Sequence, residues 1–217
     1  MKVLVIAPHP DDEVLGCGGT IAKHSNNGDQ VFLCVCTKAY FPDWSEEFIS
    51  NRPNEIAQVN EILGIRKTFF LNHPTVKLDT LPQKQLNDSL QKVVNKVKPD
   101  VIYSPHRGDL NKDHRLIFEA ILVVTRPIKN QIKKILAYEV LSETEWGQSI
   151  YPFLPNYFVD ISNTIDKKLQ AMKIYGTEIK KHPHPRSLKN IKNHAIKRGS
   201  EVGLQFAEAF MLIKEIN

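Results

Sequence analysis

The run Val3-Leu4-Val5-Ile6-Ala7, continued by Pro8-His9-Pro10-Asp11-Asp12-Glu13 and closed by Gly16-Cys17-Gly18-Gly19, decides the fold. Its apolar half reads as a strand buried on both faces, the kind found in parallel sheets. Its polar half gathers one imidazole and two adjacent carboxylates into a single turn. Carboxylates side by side and away from water raise each other's energy, so the turn calls for a positive charge. A divalent cation answers it: it takes the imidazole and one carboxylate as ligands and leaves the second carboxylate to handle a proton.

Working outward, Val14, Leu15, Ile21 and Ala22 are spaced as the inner face of a helix, and Asn26-Asn27-Gly28-Asp29 is a turn signal. Val31 to Cys36 then reads as a second buried strand. Strand, helix and strand make a βαβ unit, whose ligands bind outside the carboxyl ends of its strands, where His9 to Asp12 fall. The rhythm repeats. Thr37 to Ser50, with Tyr40, Phe41, Trp44 and Phe48 among acidic residues, reads as a loop or short helix that could line a site. Asn51 to Leu63 predicts a helix stopped by Gly64, and Thr68 to Leu71 a short strand. Leu81 to Val97 predicts a helix, Val101 to Ser104 a strand and Leu116 to Val124 a helix. Strands are expected over Ile132 to Val140 and Tyr157 to Val159, and a helix over Ile161 to Tyr175 with Ser162 or Asn163 as cap. His182-Pro183-His184-Pro185-Arg186 cannot be regular helix, and a basic helical stretch, Ser187 to Arg198, and a final segment, Leu204 to Ile216, follow it. The pattern predicts an α/β, Rossmann-like, three-layer architecture with a mostly parallel sheet, as a single domain over residues 1–217.

Composition narrows the class. With 217 residues, 41% of them hydrophobic, the chain can bury a core that needs no staples. Three cysteines, two of them two apart in an apolar run, suit neither a disulfide framework nor a cysteine metal site, which points to a reducing, cytoplasmic setting. The first residues turn polar at His9, too early for a signal peptide, and no apolar run approaches the ~18 residues of a membrane span. The net charge of +5 is spread over many segments, and no nucleic-acid-binding motif is matched. The basic excess suits an anionic small substrate at least as well, and the expected partner is a small molecule, with no nucleic acid and no membrane insertion. Oligomeric state is left open, a homo-oligomer included.

Pro105 to Arg115 is a second polar strand end, carrying His106, Arg107, Asp109, Asp113 and His114. In a parallel sheet it opens on the same edge as His9 to Asp12, so His, Asp and His can form a tripod with a fourth position open, the arrangement of a catalytic zinc site. Taken singly, Asp11 or Asp12 could cap a helix and His9 could be an ordinary loop histidine; two such strand ends together favour chemistry. The glycines at 16, 18 and 19 miss the dinucleotide fingerprint, whose third glycine falls at Ile21, and read as close backbone packing.

Ala7-Pro8-His9-Pro10-Asp11-Asp12-Glu13 resembles the signature of the LmbE-like, PIG-L family of zinc-dependent N-acetyl sugar deacetylases. His106-Arg107-Gly108-Asp109-Leu110-Asn111-Lys112-Asp113-His114 resembles its downstream motif, and the similarity runs to Ala207-Glu208-Ala209-Phe210. The resemblance implies a metal-dependent hydrolase that deacetylates an N-acetylglucosamine-type amine in a small glycoconjugate. It implies that His9, Asp12 and His114 bind Zn2+, with Fe2+ or Co2+ also compatible with such donors, and that Asp11 is the general base. Asp113 is then expected to orient a ligand or a catalytic histidine. Members with a histidine three residues before the last ligand are proposed to use it for the oxyanion; this chain has Asn111 there. His184 is the first candidate to supply the missing donor and His106 the second. Arg52 and Glu55 match an Arg-x-x-Glu position where the arginine can face substrate, or form an ion pair on the helix surface. Asp109 and Arg107 are candidates for sugar hydroxyls or a phosphate. The competing functions are hydrolysis of another amide or a phosphoester, and an inactive sugar-binding module.

Overall fold

A computed structural model of the chain describes residues 1–127, 132–149 and 151–217. Among these residues seven strands form one sheet: β1 (Lys2–Ala7), β2 (Gln30–Lys38), β3 (Lys67–Pro74), β4 (Val101–Pro105), β5 (Lys134–Tyr138), β6 (Tyr157–Asp160) and β7 (Ala207–Glu215). Their order is β3-β2-β1-β4-β5-β7-β6. β1 to β5 are parallel, whereas β7 runs antiparallel to β5 and to β6. The helices are α1 (Asp12–Asn26), α2 (Glu46–Leu63), α3 (Gln83–Val97), α4 (Lys112–Val124), α5 (Ile165–Ile174) and α6 (Leu188–Ser200).

Alternation along the strands divides the core into layers. Val3, Val5, Val31 and Leu33 face α1, α2, α5 and α6, where Val14, Ile56, Met172 and Ile191 cover them. Leu4, Ile6, Cys34 and Ile102 face α3 and α4, against Leu90 and Ile117. The result is the expected three-layer, mostly parallel α/β architecture. β1 pairs with β2 on one side and β4 on the other, Val3 opposite both Val31 and Val101. Chain order reverses at β1, and the crevice at such a reversal is where open α/β sheets bind ligands.

Several boundaries differ from the sequence reading. The segment 37–50 is divided: β2 runs on to Lys38, and α2 starts at Glu46 because the Ser45 hydroxyl accepts the Phe48 N–H at 3.2 Å. Gly64 stops α2 at φ 74, a left-handed conformation that glycine adopts without strain. α4 begins earlier than its apolar pattern, capped by Asn111, so Asp113 and His114 lie in its first turn. α5 has Thr164, not Ser162 or Asn163, at its N-cap position and no side-chain cap: the Ser162 hydroxyl is engaged by Asp160 at 2.6 Å, and the Thr164 hydroxyl donates to the Gly19 carbonyl at 2.9 Å. The predicted strand 132–140 is shorter, Lys134–Tyr138.

α1 is not one regular helix. Cys17 has φ −144, which breaks the hydrogen-bond ladder. Buried charge mends it from both sides: Glu208 on β7 accepts the N–H groups of Gly19 and Thr20 at 3.0 and 2.7 Å, and the Lys168 ammonium on α5 donates to the Leu15 carbonyl and to Glu208. The glycines allow close approach, since a Cβ on Gly16 would overlap the Tyr138 ring and one on Gly19 would overlap Ile161.

Candidate active site

The turn after β1 and the first turn of α4 bring three donor atoms together. His9 Nδ1 lies 3.2 Å and His114 Nε2 3.3 Å from Asp12 Oδ2, and the two nitrogens are 3.3 Å apart. Four ligands around a cation at ~2.0–2.1 Å have mutual separations of roughly 3.3 Å when tetrahedral. The donors therefore already sit at the edges of such a shell. Two imidazole lone pairs and a carboxylate oxygen facing one point are a poor hydrogen-bond arrangement and a good metal-ligand set, and the trio can hold a metal ion.

The far side of each ring is fixed. His9 Nε2 is 3.1 Å from Asp113 Oδ2, and His114 Nδ1 is 2.8 Å from Asp109 Oδ2. A carboxylate behind each imidazole sets its tautomer and turns the other nitrogen toward the common point. Asp113 is itself anchored, accepting N–H bonds from Val76 and Leu78 at 2.7 and 3.2 Å, and Asp109 by the Thr144 hydroxyl at 2.6 Å. Burial opposes charge on His9, but the hydrogen bonds to Asp113 and Asp12 outweigh it and push its pKa up to about 9. His114 is likewise raised despite burial, by Asp12 and Asp109. Burial also works against a charged Asp12, yet His114 and His9 hold its carboxyl well below the usual range.

Asp11 stands beside this set. Its backbone has φ 128, strained for any residue with a side chain. Its N–H donates to Glu13 Oε2 at 3.0 Å, and its carbonyl accepts Val14 and Leu15. Burial, then the negative charges of Asp12, Glu178 and Glu13, raise its carboxyl well above the ordinary range, and Arg186 opposes them. A closed circuit holds it: Arg186 Nη1 lies 3.4 Å from Asp11 Oδ2 and 3.3 Å from Glu178 Oε2. Glu178 Oε1 in turn accepts Arg52 Nη2 at 2.7 Å. The Arg52 guanidinium covers the Phe48 and Tyr175 rings, and the Tyr175 hydroxyl donates to Glu13 Oε1 at 2.7 Å. Burial lifts the Glu13 carboxyl to about 7 against the hydrogen bonds from Tyr175 and the Asp11 N–H.

These groups open into a cavity of about 570 Å³ lined by His9, Asp11, Asp12, His114, Arg52 and Asn111 among others. Arg52 lines it while also pairing with Glu55 at 3.2 Å. Four residues nominated to meet the substrate or the oxyanion do not line it. Asp109 is buried behind His114. His106 is buried with Nε2 directed to the Tyr151 carbonyl at 3.1 Å and its ring against Phe153, which puts it out of reach as a donor to the cavity. The His184 ring folds back, Nδ1 accepting the Arg186 N–H at 3.1 Å, so the side chain delivered to the cavity is that of Arg186. Arg107 stacks on Tyr151. Sequence reading missed Arg186 and Glu178; an arginine ending an irregular Pro-rich loop was the available signal.

Similarity to known proteins extends over most of the chain. The diacetylchitobiose deacetylase of Thermococcus kodakarensis is 28% identical over 99% of this chain and 84% of its own length. An uncharacterized deacetylase of Escherichia coli, YaiS, is 31% identical over 79% of this chain and 88% of its own. The N,N'-diacetylchitobiose deacetylase of Pyrococcus horikoshii, solved with an inhibitor, superposes with a TM-score of 0.79 at 25% identity, covering 98% of this chain and 83% of that one. The model of the PIG-L family, GlcNAc-PI de-N-acetylase, matches residues 4–125. That match takes in both polar strand ends and more than half of the chain, which belongs to the PIG-L family.

Proposed function

We propose that the protein is a metal-dependent deacetylase that hydrolyses the amide of an N-acetylglucosamine-type sugar in a small conjugate. The observation that carries the reading is the division of labour in one turn: Asp12 is drawn into the donor set with His9 and His114, while Asp11, its neighbour, is held out of that set and faces the same cavity. His9, Asp12 and His114 would hold the cation; two imidazoles and a carboxylate suit Zn2+, the cation we favour. When bound, such a cation acts as a Lewis acid toward a carbonyl oxygen and makes water more acidic.

The rest is done by the chain. Asp11 removes the proton of the attacking water at its carboxylate and returns it to the amine as the carbon–nitrogen bond breaks, releasing acetate. Arg186 pairs with that carboxylate and keeps it oriented. Asp113 and Asp109 keep His9 and His114 in one tautomer. Asn111 spends its side-chain oxygen capping α4, accepting the Asp113 N–H at 3.0 Å, which leaves its amide N–H groups as the donors available to a developing oxyanion.

The test joins metal analysis to acetate release. Metal-loaded protein is expected to free acetate, and not phosphate, from N-acetylglucosaminyl compounds, to lose this activity in chelator and to regain it with Zn2+. Asp11→Asn is expected to retain its metal and lose roughly 10²–10⁴ in kcat. Normal turnover by that variant would remove Asp11 from the proton path.

A further inference from the structure

The lining of the cavity divides by element. The turn after β1, the start of α4 and the segment 178–186 supply charged groups, which largely pair with one another. The start of α2, β3 and the loop behind it supply Trp44, Phe48, Ile49, Phe70 and Val76. None of these five belongs to the apolar clusters that form the core, and Phe70 and Val76 are 48% and 63% exposed.

They are nonetheless held in place. Trp44 meets Tyr40 edge-on at 5.3 Å, and the Lys77 ammonium covers Tyr40 at 4.1 Å. Phe48 lies 4.3 Å beneath the Arg52 guanidinium. Val76 has φ 58, where a β-branched residue is strained, and it is kept there by its N–H bond to Asp113. Glycine or asparagine would make that turn without strain. A valine instead carries an exposed isopropyl group into the cavity wall, and strain of this kind persists where a ligand is clamped. The cavity volume lies well inside the range of ~300–1,000 Å³ that encloses ligands larger than one sugar ring.

We infer that this wall is a subsite for an apolar substituent on the amino sugar. The preferred substrate class is then an N-acetylated aminohexoside bearing an alkyl or aryl group, in preference to a free sugar or one with a charged substituent. This inference rests on the deacetylase reading above. Lys38, which also lines the cavity and has no ion pair among the described residues, makes a charged substituent the necessary control.

The experiment compares kcat/KM for acetate release by the metal-loaded protein on N-acetylglucosamine, its 1-phosphate, and its octyl and phenyl glycosides, with octanoate release from N-octanoylglucosamine as a further arm. The expected result is a value about tenfold or more higher for the octyl and phenyl glycosides than for the free sugar or the phosphate. Phe70→Ser, at an exposed position, is expected to shrink that ratio severalfold. Equal values across the series, a preference for the phosphate, or an octanoyl amide cleaved faster than the acetyl one would overturn the subsite. No acetate from any compound with metal bound would overturn the deacetylase reading instead.

Discussion

Asp11 and Arg186 are separated by almost the whole chain yet act as one unit. The guanidinium bridges two carboxylates, Asp11 and Glu178, through a single nitrogen, and its charge persists at any working pH. Because Arg186 works through Asp11, Arg186→Gln is expected to lower kcat roughly 10- to 100-fold, the worth of a hydrogen bond to a charged group, with metal content at the wild-type level. Added guanidinium is expected to restore part of the rate to Arg186→Gly; loss of metal, or no rescue, would make the residue merely structural. His9, Asp11, Asp12 and His114 were legible because each lies in a short motif at a strand end, where local order already implies proximity. Arg186 and the roles of Asp109 and His184 were not, because they depend on which way a ring or a loop turns once distant segments have met. His184 was the attractive choice by residue type, and the backbone of Arg186 claims its nitrogen.

Among the elements, α1 carries the most exposed risk, since its first turn holds Asp12 and its ladder is broken at Cys17. The Lys168–Glu208 pair replaces the missing bonds, and both side chains are buried. Lys168→Met would leave Glu208 unpaired in the interior, a loss of about 3–5 kcal/mol, and so lower the melting temperature on the order of 10 °C for a domain of this size. A change under about 2 °C in a thermal melt would show that the break is tolerated without the pair. The glycines pointed to close packing, but Val14, Leu15 and Ile21 keep helical spacing across the break, so periodicity hid it. A lysine and a glutamate 40 residues apart, each in an ordinary amphipathic context, carried no sign that they would meet inside.

For the molecule as a whole, acid is the informative stress. Glu139, just past β5, is 2.6 Å from Arg198 and 2.8 Å from His194, both on α6. Burial disfavours its charge, but these partners win and hold its pKa near 2 against an ordinary 4.5. A folded-state pKa below the unfolded one stabilises fully above about 4.5 and is lost as pH falls toward 2. Urea unfolding of Glu139→Gln at pH 7 and pH 3 should therefore show a flatter acid dependence than wild type, by about 2 kcal/mol; parallel curves would sink the assignment. The βαβ rhythm made the parallel half of the sheet readable, because each crossover forces the next strand's direction. β7 was not readable in that way: residues 207–215 are apolar enough for a strand, but their antiparallel insertion between β5 and β6 is set by where α6 releases the chain.

Asp113 ties two of these features into one. The same carboxylate orients His9 and fastens the strained turn of Val76, so the floor of the metal set and the wall of the apolar subsite hang from a single residue. Drift in one is inherited by the other. A lineage that reshapes the 75–78 turn for a new substituent must retune its metal affinity in the same mutational step, and that epistasis ties the evolution of the two properties together.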